Sequence, residues 1–431
     1  MNESTDLVII GGGLGGLAAA ALAARAGLSV VVLEKATEPG GRAGTTEKQG
    51  FSLNLGAHAL YRGGPACAVL DELGVAYPGR VPPTSGGYAV RGGALHTLPT
   101  GFLSLVSTDV CGLAAKLEFA KLLGTLARMD TAALDGVTVT AWLERTLRSP
   151  EARALVAAFF RVSTYGGDPD LMSAGAALAQ LQLASRNNVL YLDHGWRTLV
   201  DGLRRAAESA GATIRTGAKA TSVDTAGHTV TGVTLADGTK LQARAVILAV
   251  SPGAASALVP ASAELAGYAR DLLPVRTACL DVALASLPDR RSLFALGVDR
   301  PIYASVHTAS AKLAPAGGAV VHLMSYAPSD DPRADEAELT ALLDRLQPGW
   351  RGVLVEKRFL PSLIASNALA TAARGGLAGR PAPEVPGIAG LYLAGDWVGP
   401  TGMLADAVLA GARAAVALAT PRLRVALPRA A

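Results

Sequence analysis

Cysteine is nearly absent from this chain. Its three copies, Cys67, Cys111 and Cys279, lie far apart. That odd count without ligand spacing excludes a disulfide framework and a zinc site, and it fits a reducing compartment. Charge is also sparse, at 17% of residues with a net of +4, and no basic cluster is interleaved with aromatics, so nucleic acid is not an expected partner. No uncharged apolar run reaches membrane-spanning length. The two nearest candidates, 101–115 and 401–420, carry Asp109 and Asp406/Arg413. The first offers either a buried helix or a contact with a membrane surface. The N-terminal "MNESTDLVII" has no basic region ahead of its apolar run, so no signal peptide is expected and the location reads as cytoplasmic, with surface association to a membrane left open. Hydrophobic residues, by contrast, make up 50% of the 431 residues, enough for one large or two interlocked domains.

The pattern along the chain is α/β. "DLVII" reads as a buried parallel strand, Gly16–Ala26 as an unbroken helix ended by Gly27, and "SVVVLEK" as a second strand, which together make a βαβ unit. "YAVRGGALHTLP" predicts a hairpin turning at Gly92-Gly93. Residues 98–183 read as helical, with Ser149-Pro150-Glu151 as a helix start. Strand signals return over 211–250, with turns at Ala226-Gly227 and Asp237-Gly238, and "GLYLAGDW" reads as a last buried strand before a helix from about Met403. The strands of nucleotide-binding type stand at the start, middle and end of the chain, so two discontinuous, interleaved domains are expected.

Three motifs carry chemistry. Gly11, Gly13 and Gly16 fit G-x-G-x-x-G between a strand and a helix. The first glycine permits the tight turn, the second lets the backbone approach a pyrophosphate, and the third lets helix and strand pack closely. The helix start then offers free N–H groups and a positive dipole end. Glu34 follows 23 residues after Gly11, where a carboxylate accepts from a ribose 2′-hydroxyl. Gly40, Gly41 and Arg42 form a second close-approach turn with a fixed guanidinium suited to a diphosphate or a ring carbonyl. Asp396 stands just past a strand end, and the helix after it points its N-terminus back at the same place.

In these motifs the chain resembles the FAD-dependent amine oxidase and phytoene desaturase superfamily. "LYLAGDW" and "AVLAG" look nearer the squalene and carotenoid desaturase-like branch. The resemblance implies a Rossmann-like FAD-binding domain over 1–65, 190–254 and 385–420. It implies a mixed α+β substrate domain over 66–189 and 255–384, with 421–431 as a tail. The cofactor-binding residues it implies are Gly11, Gly13, Leu14, Gly15, Gly16, Glu34, Lys35, Gly40, Gly41, Arg42, Ala220, Gly395, Asp396, Gly402, Met403 and Leu404. Ala220 is the position from which relatives grip the adenine by backbone. One departure stands out: relatives usually have Glu-Gly before "AV" in the last helix, where this chain has Ala405-Asp406. No second dinucleotide unit is present, so the oxidant of reduced flavin is expected to be oxygen, a quinone or another carrier. No metal site is expected.

Hydride transfer from a C–H bond to flavin N5 needs position more than acid–base groups. His58, Tyr61 and Trp397 are candidates for the flavin's neighbourhood, each balanced against an ordinary core role. Arg62 reads as surface. Tyr165, Tyr303, His307, His322 and Tyr326 read as packing or surface. Lys312 and Lys357 are the only late lysines available for an amine-oxidase role, and neither has a supporting context. The few charges and many Leu/Ala of 98–190 favour an apolar substrate. Three functions remain: a desaturase or dehydrogenase for an apolar, isoprenoid-like molecule; an amine oxidase giving imine and hydrogen peroxide; and a non-catalytic prenyl-binding escort of the same fold.

Overall fold

The β-branched run Ser4–Ile10 lies at the centre of a parallel sheet, where both faces are covered and alternation is not needed. A computed structural model describes residues 4–425 of the chain. In it Ser4–Ile10 pairs in parallel with Val30–Leu33 on one side and Lys240–Leu248 on the other. Thr213–Arg215 and Leu391–Leu393 extend the parallel part, and Thr229–Leu235 and Ala220–Ala226 add an antiparallel flank. The turns at Ala226-Gly227 and Asp237-Gly238 join these flanking strands. Helix Leu14–Arg25 packs on this sheet and against helices Arg197–Ser209 and Leu404–Val425.

The last helix is long and apolar enough to cross a membrane by length alone. Its residues Ala407, Leu409, Ala412, Ala415, Val416 and Ala419 are instead buried in the core beneath the sheet, while Leu418 is 45% exposed. It starts at Leu404, one residue after the expected start, and continues through Pro421 to Val425. The expectation of a patternless tail from 421 is therefore corrected for its first five residues: Leu423 is 2% exposed, and its burial holds that last turn to the core. Residues 426–431 lie outside those described.

A second sheet runs in the order Leu354–Ser366, Val275–Leu284, Ala319–Ser325, Ile302–Val306, Phe294–Gly297, Gly87–Arg91 and Ala94–Thr97. All its pairs are antiparallel except Phe294–Gly297 with Gly87–Arg91. The hairpin forms at Gly92-Gly93, both with positive φ, as a two-residue turn requires. Five helices between Phe102 and Asn187 cover the region beside it. The fourth begins as expected: the Ser149 hydroxyl accepts from the Ala152 N–H, and Pro150 occupies the first helical position. It ends at Tyr165, which adopts φ +63° although it is not glycine.

Candidate functional site

The first glycine turn is shaped by backbone contacts that leave no room for a side chain. A Cβ on Gly16 would stand 1.9 Å from the Gly11 carbonyl oxygen, and one on Gly11 would stand 2.5 Å from that of Ala249. Gly16 is therefore a packing glycine beneath the turn, as the motif demands. Gly13 caps helix Leu14–Arg25 in extended conformation and has no side chain to accept from the helix's first N–H groups, which are left for a ligand. The second glycine motif docks on the first. The Gly40 N–H donates to the Gly12 carbonyl at 2.8 Å, and Gly40 adopts φ +133°.

Glu34 directly follows the second strand, Val30–Leu33, and is 8% exposed. Its Oε2 accepts from the Gly12 N–H at 2.7 Å and its Oε1 from the Ala36 N–H at 2.8 Å, so the carboxylate is fixed by backbone and one lone pair per oxygen remains. The third motif meets the second through charge. Arg42 Nη1 donates to Asp396 Oδ2 at 2.7 Å, and the backbone and side-chain N–H groups of Asn367 bond the same carboxylate at 3.0 and 2.9 Å. Burial alone would raise the Asp396 pKa, but Arg42 and Asn367 outweigh it and hold it at about 2. Burial acts on Arg42 in the opposite sense, yet the Asp396 charge keeps the guanidinium above its ordinary value.

These groups line one cavity of about 950 Å³, near the upper end of the range for small-molecule sites. Gly11, Gly13, Leu14, Gly15, Glu34, Lys35, Gly40, Gly41, Arg42, Ala220, Gly395, Asp396 and Leu404 are all on its wall. Gly402 and Met403 do not reach it. Met403 is buried in the core of the helical region, and Gly402 packs against Asp406. The wall continues past the glycine motifs through Leu55, Ala57, His58, Tyr165, Cys279, Met324 and Leu363. Its charged residues are Glu34, Lys35, Arg42, Lys219 and Asp396, and none stands on that continuation.

Of the three candidates for the flavin's neighbourhood, only His58 lines the cavity. Its Nδ1–H donates to the Gly56 carbonyl at 3.1 Å, and its ring leans on Trp196 with centroids 4.8 Å apart. Burial lowers its pKa to about 4, so it is a neutral imidazole at physiological pH with Nε2 as acceptor. Tyr61 is corrected to a structural role. It stands on a short strand that turns its ring toward helix Pro150–Thr164, and its hydroxyl donates to the Ser163 carbonyl at 2.7 Å. Trp397 is corrected likewise. It is 0% exposed within the core beside the parallel sheet, with its indole N–H spent on the Val250 carbonyl at 3.0 Å.

Sequence reasoning read Tyr165 as packing or surface, yet it lines the cavity and donates its hydroxyl to the Ala57 carbonyl at 3.1 Å. That reasoning passed over Trp196, Cys279, Met324, Leu363 and Asn367. Trp196 stands on the cavity wall, and its buried indole N–H has no partner among the described residues. Tyr303, His307 and His322 are buried packing, as expected, although they are polar. The His322 ring bonds Asp281 at 2.6 Å, Arg358 bonds the same carboxylate at 2.7 Å, and Tyr191 stacks on His307 at 3.8 Å. Arg62 is exposed. Lys312 and Lys357 are held by Asp193 and Glu336 and do not line the cavity.

The Ala405-Asp406 departure has a definite outcome. Ala405 takes the place on the wall, while Asp406 turns away from it. Asp406 Oδ1 accepts from the Ala66 N–H at the start of helix Pro65–Leu73, and Oδ2 is buried without a partner among the described residues.

The chain belongs to the flavin-containing amine oxidoreductase family, whose model matches residues 14–419. It is 43% identical over 74 residues to human all-trans-retinol 13,14-reductase, a match covering 16% of this chain and 12% of that protein. It is 28% identical over 294 residues to hydroxyneurosporene desaturase of Rhodobacter capsulatus, covering 59% of this chain and 58% of the desaturase. The fold superposes on a putrescine oxidase variant with a TM-score of 0.74 at 18% identity, over 97% of this chain and 99% of that one. The family is one of flavin-containing oxidoreductases, and the chain has the α/β fold of the solved oxidase.

Proposed function

We propose that the protein removes hydride from a C–H bond of an apolar, conjugated isoprenoid and passes the electron pair to oxygen, a quinone or another carrier. We further propose the division into an FAD-binding domain (1–65, 190–254, 385–420) and a substrate domain (66–189, 255–384). The single observation that carries the substrate class is the cavity wall: every charged side chain on it belongs to the glycine and aspartate motifs or the strand beside them. The part built from Leu55, Ala57, Tyr165, Cys279, Met324 and Leu363 has no carboxylate to receive an alkylammonium. An amine there would lose its hydration with no charge in return. The names of the two curated relatives point the same way.

The described groups fit FAD. The uncapped helix start behind Gly13 would receive a pyrophosphate, Glu34 keeps lone pairs for a ribose, and Trp196 has a buried N–H donor to spare. Arg42, held by Asp396, presents a fixed cation to the same cavity. When bound, FAD supplies a two-electron hydride acceptor. The chain's own contribution is to exclude water and to hold the substrate's reacting carbon. After the hydride leaves, the neighbouring C–H is strongly acidic, and the neutral His58 Nε2 suffices to take that proton. The remaining electron pair forms the new double bond. Because His58 protonates only near pH 4, the rate should show no step through the ordinary histidine range.

The deciding experiment is an anaerobic visible spectrum of the purified protein, first with a polyene in detergent and then with amines. Bleaching of the flavin bands by the polyene is expected. Bleaching by amines alone would transfer the protein to the C–N oxidases. Within the same preparation Glu34→Ala should lose FAD. It removes the ribose acceptor and strips two backbone N–H groups of their partner, at about 1–3 kcal/mol each. Full FAD retention in that variant would exclude the ribose assignment.

A further inference from the structure

Large apolar side chains on the described surface are concentrated in one place. Phe102 is 79% exposed, Leu103 82%, Val106 60%, Leu113 73% and Leu117 64%. Elsewhere Leu171, Leu273, Leu354 and Leu418 are exposed singly and to less than half. The five belong to two successive helices, Phe102–Ser107 and Leu113–Leu126. Lys116 ties these together by donating to the Val106 carbonyl at 2.9 Å. Both helices already have an inner apolar face. Leu105, Ala115, Phe119, Leu122 and Leu126 are buried in the same hydrophobic cluster as Tyr165, Cys279, Met324 and Leu363 of the cavity wall. The outer face is therefore a second apolar surface with no partner among the described residues. A contiguous patch of this kind on a soluble domain marks an interaction site.

We propose that this two-helix face docks the protein on the surface of an anionic lipid bilayer. The charges favour a bilayer over a second protein copy. Lys121 and Arg128 are exposed on the outer helix or just past its end, and Arg148 is exposed beside it. The helix's one carboxylate, Glu118, is turned inward, where it accepts the N–H groups of Arg148 and Ser149. Asp109, in the loop between the helices, pairs with His96 but stays 80% exposed, and Asp130 is exposed past the outer helix, so the three cations outnumber the two exposed carboxylates. An apolar face rimmed by cations suits headgroup phosphates above and acyl chains below. It is self-repelling toward its own copy. This inference goes beyond the redox reading and does not rest on it, because lipid binding is read without turnover. It also places a source of apolar substrate on the far side of the helices whose inner faces share a core with the cavity.

The test is sedimentation of the FAD-loaded protein with vesicles of phosphatidylcholine and phosphatidylglycerol, three parts to one, and with phosphatidylcholine alone. The wild type should pellet with the mixed vesicles and more weakly with the neutral ones. Phe102→Ser with Leu103→Ser should lower the partition coefficient at least about tenfold while the flavin spectrum stays unchanged. Leu354→Ser, a singly exposed leucine elsewhere, should leave binding as it was. Equal binding by the double variant, or no binding by the wild type, would overturn the proposal. So would a dimer, seen by light scattering, that the double variant dissolves in the absence of lipid.

Discussion

The two ends of the cavity are built on opposite principles. At the glycine end the wall is mostly backbone and fixed charge. Gly12 and Ala36 clamp Glu34, Gly40 bonds Gly12, and Arg42, Asn367 and Asp396 form one network. At the other end the wall is drawn from Leu55, Ala57, His58, Tyr165, Cys279, Met324 and Leu363, and it carries no charged residue. The first end has its charged side chains anchored before any ligand arrives, while the helix start behind Gly13 keeps donors free, which suits a resident cofactor. The second holds a ligand by shape and apolar area alone, which suits a substrate that must come and go.

The largest effect should come from breaking the charged end. Arg42→Ala leaves Asp396 buried with two of its three hydrogen-bond donors and without its countercharge. Removing one member of a buried pair costs about 3–5 kcal/mol, and the lower figure is expected because Arg42 is 39% exposed toward the cavity. Urea unfolding should register that loss, and the purified variant should be colourless. The wild type carries a matching pH signature. The Asp396 pKa is depressed to about 2 from an ordinary 3.8, so its contribution is complete above about pH 4 and is lost as the pH falls toward 2. Arg42→Ala should lose less stability over that interval than the wild type does.

A charge placed at the apolar end should do the reverse. Leu363 lies on Leu354–Ser366, the edge strand of the second sheet, where a polar residue is tolerated by the fold. Leu363→Asp should keep its FAD and its unfolding midpoint, yet weaken polyene-driven bleaching by at least about tenfold, or 1.4 kcal/mol. Loss of FAD in this variant, or retention of FAD by Arg42→Ala, would erase the distinction between the two ends.

The same contrast explains what could be read from the chain. The cofactor end is written in local spacing. A tight turn, a close backbone approach and an acid at the end of the second strand each demand a residue type at a fixed offset, so Gly11, Gly13, Gly16, Glu34 and Gly40–Arg42 were recognisable without coordinates. The apolar end has no such offsets. Tyr165, Cys279, Met324 and Leu363 come from four separate elements and look like any core residue until the second sheet brings them together. Tyr61 and Trp397 misled for a related reason. Each has a polar atom suited to chemistry, and in each that atom is spent on a carbonyl that only the fold places beside it.

The sharpest comparison is between two aspartates ten residues apart. Asp396 has a guanidinium and two amide donors, whereas Asp406 has a single backbone N–H and one bare oxygen. Burial therefore dominates at Asp406 and raises its pKa to about 6. A carboxyl raised in the folded state contributes its stability below the unfolded value near 3.8 and loses it as the pH climbs through 6. Above that pH the protein carries a buried, half-satisfied charge at the start of helix Pro65–Leu73. Asp406→Asn keeps an acceptor for Ala66 and removes the charge. It should stabilise the protein by about 1–2 kcal/mol at pH 8, an amount reduced by the new amide's own need for a partner. The gain should disappear by pH 4, and FAD content should be unchanged because Asp406 faces away from the cavity. A gain that persists in acid would mean that packing, and not ionisation, separates the two residues.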